Sequence, residues 1–194
     1  MAAVNHLAML HGMTGTSAKM RPLAESLVPG NWGVVCPEGT YLHPKSGRAW
    51  WVRDDLTETV APTDQILMSM KSLEQSLPEG KLIVGGFSQG GAIASAMLET
   101  SIEERIVGLV LLATMSVRDE QLRGILRSIR PRSVVWMHGE RDHIVNIADG
   151  MKLASIFEDA GWDVIRLRHE KGHMIDLSQK DSLVDAIRIM SEDG

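Results

Sequence analysis

The chain has 194 residues, 44% of them hydrophobic and 23% charged, with a formal net charge of −5. The acidic balance and the lack of a basic patch speak against nucleic-acid binding, and no apolar run reaches membrane-spanning length. The single cysteine, Cys36, excludes an intramolecular disulfide; with no basic-then-apolar secretory pattern at the N-terminus, a reducing cytoplasm is the expected setting.

Strand-like and helix-like runs alternate without internal repeats or a linker, the signature of βαβ units around a parallel sheet. Leu7–Leu10 reads as the first strand and Ser17–Val28 as a helix with Ser17 as its N-cap. Trp32–Cys36 is a strand, and Cys36, before Pro37, is a small buried strand residue rather than a second nucleophile. The stretch from Pro37 to Pro62, about 25 residues without periodicity, is long for a connection and more often functional than not. It holds Arg48-Ala49-Trp50-Trp51 and then Asp54-Asp55. Two adjacent tryptophans are expensive to leave in water. They pack on the core edge or line a substrate cleft, and the cleft is the reading carried forward.

Thr63–Leu77 is a helix, and Lys81–Phe87 is an apolar strand leading into the helix Gln89–Thr100. Arg105–Ala113 reads as a strand buried on both faces. Val117–Ser128 is a short helix, Ser133–His138 a strand, and Ile147–Ala160 a helix with Gly161 just past its end. Asp163–Leu167 is the last strand and Ser178–Met190 the closing helix. The expected architecture is α/β: one domain over 1–194, a mostly parallel sheet of about six strands, and helices on both faces.

The most informative run is Gly85-Gly86-Phe87-Ser88-Gln89-Gly90-Gly91. Strand, tight G-x-S-x-G turn and helix is the context of a nucleophile elbow, which pushes a serine hydroxyl out at the top of the sheet. A serine needs a base within reach. His173, in a loop after the last strand, falls on the same C-terminal sheet edge as Ser88, where ligands of open α/β sheets bind. The base needs an acid to fix its tautomer. Asp142, in His138-Gly139-Glu140-Arg141-Asp142 after the preceding strand, is preferred to Glu140 in the turn and Asp149 in the next helix. Asp176 reads as a cap of the last helix. The developing oxyanion calls for backbone N–H donors, one from the residue after the nucleophile and one from the loop after the first strand. These are Gln89 and Met13, in His11-Gly12-Met13-Thr14-Gly15. His11 and His138 read as loop-shaping residues, and no His, Cys or acidic cluster has metal-ligand spacing.

Together these residues resemble the α/β-hydrolase superfamily, and within it the phospholipase/carboxylesterase family of acyl-protein thioesterases and small bacterial carboxylesterases. The matching pieces are Leu10-His11-Gly12, Arg48-Ala49-Trp50-Trp51, Gly85 to Gly91, His138 to Asp142 and Gly172-His173. The resemblance implies ester or thioester hydrolysis through an acyl-enzyme, without metal or cofactor, on a Ser88, Asp142 and His173 triad. Asn146 stands where the family usually has proline, and Lys171 where a small or apolar residue is usual. The few residues before the first strand imply a minimal six-stranded core without the outer strands of larger hydrolases.

Thr114-Met115-Ser116 leads directly into the next helix and leaves no room for a lid. The expected site is open and shallow, with Trp50, Trp51, Met115 and Met174, and the adaptable side chain of Met13, as apolar walls. The expected function is hydrolysis of short to medium acyl esters. The alternatives are an acyl-thioesterase or lysophospholipase, another acyl-transfer enzyme, and a hydrolase-fold ligand-binding protein with little turnover.

Overall fold

The computed structural model describes residues 4–52 and 62–193; Asp54 and Asp55 lie outside the described residues. Apolar side chains alternate along most strands, and this alternation builds two cores, one on each face of a sheet. In chain order the strands of that sheet are β1 (His6–Leu10), β2 (Gly33–Val35), β5 (Leu82–Phe87), β6 (Ile106–Leu112), β7 (Ser133–Gly139) and β8 (Asp163–His169). Ala8, Leu10, Val84, Leu109, Leu111, Val134 and Trp136 point to one face; Leu7, Met9, Ile83, Val110, Leu112, Val135 and Met137 point to the other. Period-2 alternation with both sets buried is what a doubly covered parallel sheet requires.

The first face is covered by α2 (Thr63–Ser76), α3 (Gln89–Ala96), α4 (Asp119–Leu126) and α5 (Ile147–Asp159). The second is covered by α1 (Ser17–Leu27) and α6 (Lys180–Asp193). The strand order is β2-β1-β5-β6-β7-β8, and every neighbouring pair is parallel. The order runs outward from β1 in both directions. The crevice beyond the C-terminal ends of β1 and β5 is therefore a topological switch point, the usual place for a ligand in this architecture.

Helix ends follow local chemistry. The side chain of Asn146 accepts the Ala148 N–H at 2.9 Å and caps α5, so the missing proline costs that helix no start signal. Gly161 closes it with a φ of +81°. The cap of α1 is Thr16, one residue before the expected Ser17, and accepts the Lys19 N–H. Asp176 accepts the Ser178 N–H and caps a 3-10 turn, Leu177–Gln179, that leads into α6. The aperiodic stretch after Pro37 holds a feature that sequence periodicity did not reveal. It is a two-stranded antiparallel hairpin of β3 (Tyr41–Leu42) and β4 (Arg48–Ala49). Among the described residues no helix is long and apolar enough to cross a membrane.

Candidate active site

Ser88 stands between β5 and α3 with φ +54° and ψ −120°, a conformation that non-glycine residues occupy only when their surroundings impose it. The neighbouring glycines show how. A Cβ on Gly86 would stand 2.4 Å from the Gly90 carbonyl carbon, and one on Gly90 2.2 Å from the Leu10 carbonyl oxygen. Strand, turn and helix are therefore pressed together at backbone distance. The Ser88 N–H donates to Leu112 O at 2.9 Å, and its carbonyl accepts the Thr114 hydroxyl at 2.7 Å. Serine at a helix N-cap ordinarily accepts an N–H of the first turn, but Ser88 makes no such bond. Thr14, Ser88 and Ala113 are the non-glycine residues with positive φ among the described residues. All three follow the C-terminal ends of strands, so backbone strain is concentrated at this edge.

Asp142 and His173 meet on two further loops of the same edge. His173 Nδ1 lies 2.7 Å from Asp142 Oδ2. The other carboxylate oxygen accepts the Ile144 and Val145 N–H groups at 2.9 Å each. Burial alone would raise the Asp142 carboxyl, but the hydrogen bonds from His173, Val145 and Ile144 outweigh it and hold the group below the usual carboxylate range. A Cβ on Gly139 would stand 2.3 Å from Lys171 O and 2.4 Å from Gly172 O, so that glycine lets the loops of Asp142 and His173 touch. The His173 ring packs 4.8 Å from that of Phe87, the residue before Ser88. Glu140 instead pairs with Arg168, and Lys171 pairs at 2.7 Å with Asp176.

The expected oxyanion donors sit on the two elements flanking the switch point. The Gln89 N–H belongs to the first turn of α3, where helix geometry leaves it without an intrahelical acceptor. Met13 occupies the turn closed by the Gly15 N–H to Gly12 O bond, with Thr14 beside it at φ +64°. The side chain of Gln89 has a separate task. Its Oε1 accepts the Trp50 N–H at 3.1 Å and its Nε2 donates to Trp51 O at 3.0 Å. Trp50 Nε1 donates to His11 O at 2.8 Å, and His11 Nε2 accepts the Gly39 N–H at 2.9 Å. Burial holds the His11 ring below its ordinary pKa, in keeping with a neutral imidazole whose Nδ1–H donates to Gly12 O.

A family model described as serine hydrolase (FSH1) matches residues 24–182. The chain belongs to this serine hydrolase family. Its similarity to acyl-protein thioesterase 1 of Neurospora crassa is 24% identity over 172 residues, 84% of this chain and 70% of that protein. Acyl-protein thioesterase 1 of Cryptococcus neoformans var. neoformans is 26% identical over 98 residues, 50% of this chain and 40% of that relative. Acyl-protein thioesterase 2 of Zea mays superposes with a TM-score of 0.76 at 20% identity, over 98% of this chain and 95% of that one. The carboxylesterase of Bacillus cereus gives 0.75 at 21% identity, over 98% and 89%. The fold is that of the α/β-hydrolases.

Within this serine hydrolase the tryptophan pair requires a correction. Trp50 is fully buried and Trp51 is 5% exposed, both in the core on the side of α2 to α5. They back the site and do not form the surface of a cleft, because their backbone and the Trp50 indole are drawn inward by Gln89 and His11. Met115 is half-buried, while Met13 and Met174 are exposed beside the loops of the site. Ile144, two residues after Asp142, is 74% exposed and had no periodic signal to mark it. The role of Thr114 was also invisible in sequence, since a threonine after a strand is unremarkable until its hydroxyl is seen on the Ser88 carbonyl.

Proposed function

We propose that this serine hydrolase cleaves carboxylic esters of short to medium acyl chains through an acyl-enzyme on Ser88. His173 Nε2 takes the Ser88 hydroxyl proton as Oγ attacks the ester carbonyl carbon. The carbonyl oxygen becomes an oxyanion held by the Met13 and Gln89 N–H groups. Collapse breaks the bond to the alcohol oxygen, which leaves with the proton from His173. Water then repeats the sequence: His173 takes its proton, the hydroxide adds to the acyl carbon, and Ser88 departs reprotonated. Asp142 keeps the proton of His173 on Nδ1 and stabilises the imidazolium that forms.

The observation that carries this reading is the 2.7 Å contact of His173 Nδ1 with Asp142 Oδ2, on the sheet edge where Ser88 tops β5. The short path from β6 through Ala113–Arg118 into α4 accords with an open site and modest acyl chains. The buried, free Cys36 accords with work in a reducing cytoplasm. A second reading, hydrolysis of acyl thioesters, is favoured by the acyl-protein thioesterases among the relatives.

The test is hydrolysis of p-nitrophenyl esters from acetate to palmitate by the wild type and Ser88→Ala. The expected result is activity greatest on the shorter esters and at least about 10⁴-fold lower kcat in the variant. Activity rising steadily to palmitate would overturn the chain-length proposal. Equal activity in both proteins would overturn the assignment of Ser88. Thioester substrates run in parallel decide between the two readings.

A further inference from the structure

We propose that His138 is a positioning residue for the acid of this site: its Nε2–H, donated to the Val145 carbonyl, holds the acid loop so that Asp142 Oδ2 faces His173. The inference rests on the Ser88, His173 and Asp142 reading above. His138 lies near the end of β7, four residues before Asp142, and is fully buried. Its Nε2 is 2.9 Å from Val145 O and 3.4 Å from Asp142 Oδ2. That carboxylate oxygen is the one in contact with His173 Nδ1. Two imidazoles therefore converge on one oxygen of the acid, while two backbone N–H groups hold the other.

The proton on His138 is assigned by its neighbours. Both atoms facing Nε2 are acceptors, so Nε2 must carry a hydrogen. Nδ1 is buried and has no hydrogen-bond partner. It faces α5 at Gly150, where a Cβ would stand 2.5 Å from it. A second proton there would meet no acceptor, which matches the downward pull of burial on this ring. The ring lies 5.5 Å from that of Trp136 at an interplanar angle of 20°, which restricts its rotation. The groups acting on it electrostatically are Asp142, His173 and, from β8, His169. His138 is thus a neutral donor with one available tautomer. A histidine serving only to fill the core would not have to place its single N–H on the carbonyl of the acid loop, three residues past Asp142.

The consequence concerns the base. Removing the Nε2–H frees the Val145 carbonyl, and with it the acid loop whose Val145 N–H holds Asp142 Oδ1, so that Asp142 no longer keeps the His173 ring in place. In His138→Leu the expected kcat is roughly tenfold lower, the scale of one buried hydrogen bond lost, while the KM should stay within about twofold. His138→Gln, whose terminal amide reaches a similar position, should recover most of the kcat.

Equal losses of kcat in the Leu and Gln variants would make His138 a packing residue and overturn the proposal. Wild-type protein without Ser88-dependent turnover would overturn the underlying reading instead, so the two failures are separable. Imidazole ¹⁵N NMR of the wild type tests the tautomer even where the Leu variant does not fold. A protonated Nε2 with bare Nδ1 at neutral pH supports the assignment, and the opposite tautomer overturns it.

Discussion

Around Ser88 the chain is fixed by contacts that carry no net charge. Gly86 and Gly90 let backbone touch backbone, the Thr114 hydroxyl meets the Ser88 carbonyl, and the Gln89 amide bridges Trp50 and Trp51. Around His173 the fixing groups ionise. Asp142 faces two imidazoles, and Lys171 pairs with Asp176 beside them. The first region has to hold a strained backbone whatever the pH, a task for sterics and neutral hydrogen bonds. In the proposed mechanism the second takes up and releases a proton at constant geometry, and charge lets its neighbours respond to that proton. The division of labour predicts that damage to the first is felt as instability and damage to the second as a change in rate and pH dependence.

The sharpest test on the charged side is Asp142→Asn. The amide cannot stabilise the His173 imidazolium and invites the wrong tautomer, so kcat should fall by about 10³- to 10⁴-fold, measured by steady-state kinetics on a short ester. A protein that keeps a tenth of its activity would break the comparison at its centre. On the neutral side, Gly90→Ala forces a methyl group against the Leu10 carbonyl. Unfolding free energy should drop by about 3 kcal/mol, the upper range of overpacking costs, as read by urea denaturation. Gln89→Ala follows, because it leaves the Trp50 N–H and the Trp51 carbonyl unpaired inside the protein. A loss of about 2 kcal/mol is expected, with the midpoints of the pH–rate profile unchanged.

Acid titration sorts the buried histidines from the carboxylate. His11 and His138 are both held below their ordinary pKa by burial. The unfolded chain takes up those protons first, so stability should begin to fall as pH drops below about 6.5. The depressed Asp142 carboxyl acts in a lower window. Its contribution is complete above the unfolded value of about 4 and disappears as pH falls through the folded one. Thermal melts from pH 8 to pH 3 should therefore decline in two stages, and His138→Gln should shrink only the first. A single decline confined to the carboxylate range would contradict the neutral, buried assignment of both histidines. The smallest effect belongs to the rim. Met174→Ser, at a side chain 46% exposed, should change stability by less than about 0.5 kcal/mol while raising KM for the longer esters.

Much of the fold was legible because its signals are local and repeated. Each long strand carries alternating or continuous apolar residues, and the Gly-rich run around Ser88 marks both a strand end and a helix start. In a parallel sheet every strand ends at the same edge. Ser88, Asp142 and His173 could therefore be assigned to one edge from their positions after β5, β7 and β8. The hairpin β3–β4 was not legible, since two residues per strand carry no period. The side-chain bonds of Gln89 were hidden for a different reason. They join positions 38 and 39 residues apart, and no sequence window brings those together. The same bonds explain why the tryptophans read as cleft residues and are buried instead. An exposed-looking loop was pulled into the core by a partner that sequence alone did not reveal.

The two outer strands of the sheet differ from the inner ones in a way that reaches beyond the site. β2 has only three residues, none fully buried. β8 carries charged residues, Asp163, Arg166 and Arg168, and Arg166 and Arg168 are paired with Glu158 and Glu140. Short or charged margins discourage a foreign strand from extending the ladder. A strand laid against β8 would have to accommodate those ion pairs, and one laid against β2 would find few backbone groups to bond. The sheet is thus guarded against edge-to-edge aggregation at both ends, and the strain stored at its C-terminal margin can persist without inviting the chain to stack on itself.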